Sequence, residues 1–119
     1  MYCVEELEQQ PLIDSDQWGR LQSELGLEML REFSLEFFEE TREIWMVPNF
    51  NPFSFEEKAF KSMAHRSAGA AGTIGFKKLR YAFLCLEHTT VSDHTARALE
   101  LMNTTFNETQ QWVETTTQS

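Results

Sequence analysis

Apolar residues recur along the chain at intervals of three and four, and few residues interrupt them. Prolines stand only at 11, 48 and 52 and glycines only at 19, 26, 69, 72 and 75, which leaves long stretches free to be helical. No run alternates apolar and polar positions between turn residues in the way a half-buried strand does. The pattern predicts an all-α chain. A short first helix is expected from Asp16 to Leu25, with Asp14 as N-cap, Gln17 at the capping-box position and Gly26 near its end. A second, Leu27 to Met46, sets Leu30, Phe33, Phe37, Thr41 and Ile44 on one face until Pro48 stops it. After a loop from Asn49 to Phe53, Ser54 and Glu57 form a second capping box, opening a third helix that reaches Gly72. A fourth runs from Phe76 to His88. A fifth, Ser92 to Glu114, places Val91, Thr95, Ala98, Met102, Thr105, Thr109 and Trp112 on one side at near-heptad spacing. Four long amphipathic helices with a short additional N-terminal helix predict an up-and-down four-helix bundle. It would span residues 14–115, after an N-terminal extension (1–13) and before a frayed tail (116–119).

Composition agrees with one packed domain. The chain has 119 residues, 41% of them hydrophobic, with ten Phe and three Trp, which is ample for one core and argues against disorder. Cys3 and Cys85 stand in unrelated contexts, so neither a disulfide framework nor a thiolate metal site is expected. The acidic start MYCVEELEQQ is unlike a secretory signal, and the longest apolar run, Tyr81 to Leu86, is far short of the roughly 20 residues that span a bilayer. A cytoplasmic monomer with no membrane insertion is the resulting expectation.

Charge adds a clue about partners. The formal net charge of −9 opposes binding to nucleic acid and anionic lipid. Its distribution is uneven, because Lys58 to Leu86 holds no acid and carries Lys58, Lys61, Arg66, Lys77, Lys78 and Arg80. That segment has a charge of +6 against −15 for the remainder. An electropositive region on an acidic body fits an acidic or phosphorylated partner.

The same segment holds the candidate chemistry. With His65 at zero on a helical wheel of about 100° per residue, Phe60, Met63, Ser67, Ala70, Ala71 and Ile74 fall between about 140° and 240°, which predicts the buried side. His65 then points outward, with Lys61, Ala68, Gly69 and Gly72 around it. Glycine inside a helix costs about 1 kcal/mol relative to alanine. Two of them where no core packing requires small residues imply that something external approaches closely. An imidazole suits such a place as a phosphoryl acceptor, because an ordinary pKa of about 6.5 leaves it largely neutral and nucleophilic near neutral pH. Glu87 can stand level with His65 if the chain turns near Ile74, since side chains lean towards each helix's N-terminus. A carboxylate there would accept the Nδ1 proton and leave Nε2 free to attack.

The run His65-Arg-Ser-Ala-Gly69-Ala-Ala-Gly72-Thr-Ile-Gly75-Phe-Lys-Lys-Leu79, continuing to Leu86-Glu87, resembles the signature of the histidine-containing phosphotransfer domain family. The likeness extends more loosely over Ile13 to Trp112. It implies a phosphocarrier of two-component phosphorelays, with His65 phosphorylated and Glu87 bonded to its other ring nitrogen. Lys61, Arg66, Ala68, Gly69, Gly72, Lys77 and Lys78 would form the phosphoryl- and partner-binding surface. The implied partners are receiver domains of response regulators or hybrid sensor kinases, which supply Mg²⁺; no cofactor is expected on this chain. One position departs from the family, which commonly carries Lys or Arg where this chain has Ala68.

No Walker motif and no kinase-type Gly-rich loop is present, so an ATP site and an enzymatic role of its own are not expected. His88 and His94 lack a ligand cluster that would favour a hydrolase. The competing reading is a binding module of the same fold that docks and inhibits a receiver or kinase without carrying phosphate, and Ala68 favours it.

Overall fold

The computed structural model describes residues 4–89 and 93–118. Cys3, Val91 and Ser92 lie outside them. Five α-helices follow in order: α1 (Ser15–Leu25), α2 (Leu27–Trp45), α3 (Glu57–Ile74), α4 (Lys77–His88) and α5 (Asp93–Thr117). Two 3-10 turns, Val4–Gln9 and Pro52–Ser54, complete the secondary structure, and there is no strand among the described residues. No helix among them is long and apolar enough to cross a membrane.

The middle of the fold is α4. Every residue from Lys78 to Leu86 except Arg80 is buried, because α4 packs most extensively on α3, then on α5, and is also covered by the Val4–Gln9 turn. That turn is more than an extension. Val4 and Leu7 enter the core, Glu6 accepts a hydrogen bond from the Tyr81 hydroxyl at 3.0 Å, and Glu8 pairs with Lys78 at 3.4 Å.

Aromatic packing centres on the connection between α3 and α4. Gly75 adopts φ +96° and closes α3, with its N–H donating to Gly72 O and the Phe76 N–H donating to Ala71 O. This doubly bonded left-handed cap satisfies carbonyls that a helix end otherwise leaves open. Phe76 is thereby driven inward. Its ring stacks on Phe38 at 5.4 Å and 8°, and touches Phe37 at 5.4 Å and Trp18 at 6.3 Å. The beginning of α1 closes over the outside of the same turn, where Asp14 N–H donates to Gly75 O at 2.8 Å.

Several local expectations are corrected. Asp14 does cap α1, accepting from Gln17 N–H at 3.1 Å, but the Gln17 side chain donates to Thr73 O at 2.7 Å instead of closing a capping box. The Asp14 N–H that it would have met is already used by Gly75. The Ser54/Glu57 box does not form either: Asn51 Oδ1 accepts from Phe53 N–H and Ser54 Oγ donates to Asn51 O, so a local turn consumes Ser54 and α3 starts without a side-chain cap. On α2 the inward face is Leu30, Ser34, Phe37, Phe38, Thr41 and Trp45, leaving Phe33 45% and Ile44 41% exposed. The large rings of Phe38 and Trp45 turn the helix about its axis. Helix α5 continues past the expected tail boundary to Thr117, whose buried hydroxyl donates to Val113 O.

Substitution of the cap glycine tests this account. Gly75→Ala should lower stability by at least about 1 kcal/mol in urea or thermal unfolding, because a non-glycine residue in left-handed backbone costs roughly 1–2 kcal/mol. The new Cβ would also meet Asp14 O and Trp18 N at 3.3 Å. Gly19→Ala is the opposite control. It is in mid-helix with no atom within 4 Å of its absent Cβ, so stability should rise by up to about 1 kcal/mol.

Candidate functional site

The geometry of the site follows from which side of α3 is buried. Phe60, Ala64, Ala68 and Ala71 are buried, while Met63, Ser67 and Ile74 are half-buried and Ala70 is exposed. The buried arc is therefore turned by about 60° towards α4 from the sequence expectation, taking about 100° per residue. Three alanines cause the shift, since their small side chains permit the close approach of α3 to α4 that dominates the packing. The larger Met63 and Ile74 are left towards α2, which α3 contacts less extensively. A hydrogen bond from Trp45 Nε1 to Ser67 Oγ, 2.9 Å long, ties α2 to α3 there.

This rotation brings His65 to the mouth of the α3–α4 seam. Its side chain is 71% exposed and Glu87 is 20% exposed, yet Nδ1 lies 3.1 Å from both carboxylate oxygens of Glu87. A carboxylate only accepts, so Nδ1 carries the proton, and in a neutral ring the lone pair is then on Nε2. Glu87 also approaches His88, whose Nε2 is 3.9 Å from Oε1.

The other expected site residues separate. Gly69 is exposed, and a Cβ built on it would meet nothing within 4 Å, so the space beside His65 is open. Gly72 differs: a Cβ there would lie 2.8 Å from Arg80 Cδ. Lys77 joins Gly69, Gly72, Thr73, Gly75, Asp14 and Arg80 around one hollow. Lys61 pairs with Glu57 at 3.1 Å and borders a second hollow with Pro52, Phe53, Phe55 and Phe60. Arg66 faces away from Glu87, into a groove shared with Phe37, Glu40 and Ile44 of α2.

Two assignments fail. Ala68 is 2% exposed and belongs to the core, so it is not part of a binding surface. Lys78 is buried on the far side of α4, 3.4 Å from Glu8 and 3.9 Å from Glu108. The expected single electropositive region is thus dispersed, because α4 turns successive residues by about 100°. Arg80, which borders the same hollow as Gly69 and Gly72, is not among the site residues expected from the sequence. Its signal was the spacing of seven residues before Glu87, which puts both on one face of a helix.

The open space beside His65 has a measurable consequence for stability. Gly69→Gln should leave thermal stability unchanged or raise it by up to about 1 kcal/mol, since glutamine is the better helix former and nothing opposes its side chain. A marked loss would show that position 69 is packed.

Comparison with models of known protein families, with curated proteins and with solved structures finds no match to this chain.

Proposed function

We propose that this chain is a phosphocarrier, taking a phosphoryl group on His65 from the aspartyl phosphate of a receiver domain and passing it to the aspartate of another. The observation that carries this reading is the His65–Glu87 contact on an otherwise exposed imidazole, beside an open glycine. A surface pair at 3.1 Å contributes at most about 1 kcal/mol to stability. A nucleophile gains a defined tautomer. The resemblance of the His65 to Glu87 segment to phosphotransfer domains supports the same role, and α2 to α5 are read as their up-and-down four-helix bundle.

In the proposed step the Nε2 lone pair attacks phosphorus and the N–P bond forms as the P–O bond to the receiver aspartate breaks. The carboxylate leaves with the bonding pair. No proton needs to move, because Nδ1 keeps its hydrogen and the ring takes on positive charge opposite Glu87. Onward transfer reverses the exchange, with a second carboxylate attacking phosphorus and neutral imidazole leaving. Mg²⁺ on the receiver would supply charge neutralisation in this step, and this chain supplies position and tautomer. The proposed setting is the cytoplasm, and the proposed acting unit is the monomer.

The burial of Ala68 in place of a surface cation favours one competitor, a module that binds a receiver without accepting phosphate. Labelling separates the two. A receiver charged with acetyl phosphate should transfer an acid-labile, alkali-stable phosphate to this protein, and His65→Gln should abolish labelling while the helical circular dichroism is retained. Tight receiver binding without labelling of the wild type would leave the inhibitory module as the better account, and labelling of His65→Gln would move the site elsewhere.

Glu87→Ala should slow transfer about tenfold or more at constant fold, since a hydrogen bond to a charged group is worth roughly 1.5–3 kcal/mol and this one is partly wet. Single-turnover transfer rates provide the check, and an unchanged rate would remove Glu87 from the mechanism. Gly69→Gln should lower receiver-driven labelling despite its intact stability, because its side chain occupies the space a receiver needs.

A further inference from the structure

The fold leaves two cations facing the same space one to two turns along α3 from His65. Lys61 is held by Glu57, and Lys78 is buried beside Glu8 and Glu108. Lys77 and Arg80, by contrast, line the hollow that contains Gly69 and Gly72, and neither makes an ion pair among the described residues. Among the described residues Asp14 is the only acid lining that hollow, and its Oδ1 is engaged by Gln17 N–H at 3.1 Å.

Arg80 does not extend freely into solvent. The position of a Cβ on Gly72 would be 2.8 Å from Arg80 Cδ, 3.3 Å from Nε and 3.8 Å from Cγ. The side chain therefore lies across α3 in space that only glycine leaves vacant. Glycines 69 and 72 thus have different physical reasons: the first keeps open space next to His65, and the second makes room for the arginine that borders it. Along α4, Arg80 stands two turns before Glu87, about 10 Å at 1.5 Å per residue. It flanks the nucleophile without reaching the reacting atoms.

We propose that Arg80, cradled by Gly72, is the positioning residue that receives the anionic edge of the phosphorylated partner beside His65. This rests on the phosphotransfer reading. An aspartyl phosphate makes the surface that presents it locally anionic, and a guanidinium matches carboxylate and phosphoryl oxygens with a planar fork of donors. A cation laid flat in advance orders less on docking than one free in solvent. The role concerns docking alone, so a small phosphodonor that needs no docking should be indifferent to it.

Two donors make that distinction: phosphoramidate, which needs only the His65 nucleophile, and receiver domains from the same organism charged with acetyl phosphate. Arg80→Gln should lower kcat/KM for receiver-driven labelling about tenfold, while labelling by phosphoramidate stays within about twofold. Arg80→Lys should recover part of the loss. Added salt should slow the wild type more than Arg80→Gln, as expected when a cation guides association. Gly72→Ala should impair the receiver reaction in the same direction although alanine is the better helix former, and the double variant should be no slower than Arg80→Gln alone. Equal receiver rates for wild type and Arg80→Gln would overturn the proposal, as would equal losses with both donors. Additive losses in the double variant would overturn the cradle. If the wild type is labelled by neither donor, the phosphotransfer reading itself falls and this proposal with it, an outcome distinct from loss of the Arg80 effect in a protein that labels.

Discussion

The left-handed cap at Gly75 is the constraint from which the remaining geometry follows. Two antiparallel helices can slide past one another unless something sets their register, and here one turn does so from both sides. Inside, Phe76 is inserted among Phe37, Phe38 and Trp18. Outside, the first residues of α1 close on Gly75 through the Asp14 hydrogen bond and the packing against Trp18 N. With the turn pinned, His65 lies about 15 Å before it and Glu87 about 18 Å after it at 1.5 Å per residue. Both side chains lean towards the N-terminal end of their own helix, which moves His65 away from the turn and Glu87 back towards it. The offset is thereby closed, and the 3.1 Å contact is the result.

Close approach of α3 to α4 is the second requirement, and alanine supplies it. Ala64, Ala68 and Ala71 present little to the seam, so the two backbones can come near enough for an exposed imidazole to reach a carboxylate on the neighbouring helix. A longer side chain at 68 would have to escape from that seam or spread it. A surface cation at this position is therefore absent, and on this side of α3 the cations are Lys77 and Arg80 of α4, which line the hollow that contains Gly69 and Gly72.

Helix existence was legible in the sequence because the breakers are few and the apolar spacing is regular. Boundaries fell within a few residues of their observed places for the same reason. The faces were harder to read. Alanine carries little hydrophobic signal, so the arc through Ala64 and Ala68 went unseen while the bulkier Met63 and Ile74 pulled the expected buried side towards α2. On α2, spacing alone points Phe33 and Ile44 inward, yet Phe38 and Trp45 bury more surface and decide the rotation. Tertiary partners also outcompeted local ones: Asp14 N–H went to Gly75 and left the Gln17 side chain to find Thr73. The His65–Glu87 pairing was recoverable in advance because it depends on helical rise and one turn. The burial of Lys78 was not, since nothing in the pattern of residues 1–13 marks the Val4–Gln9 turn whose Glu8 pairs with it.

The position of Glu87 in α4 bears on what the pair accomplishes. It is one residue from the end of the helix at His88, where unpaired carbonyls make the local potential negative and a carboxylate is disfavoured by about 0.3–1 kcal/mol. A carboxylate in that place is poorly explained by helix stability. Its position becomes intelligible if the group opposite it changes charge. A neutral imidazole at His65 only donates a hydrogen bond to Glu87, whereas the ring of a phosphohistidine that keeps its Nδ1 proton is cationic. Both the carboxylate and the helix end then act on a positive charge that was absent before transfer. Interactions that strengthen as charge develops accelerate a step, whereas those of equal strength throughout only bind. The same unfavourable potential that Glu87 tolerates in the resting chain thus becomes, in the proposed reaction, a contribution to holding phosphate on His65.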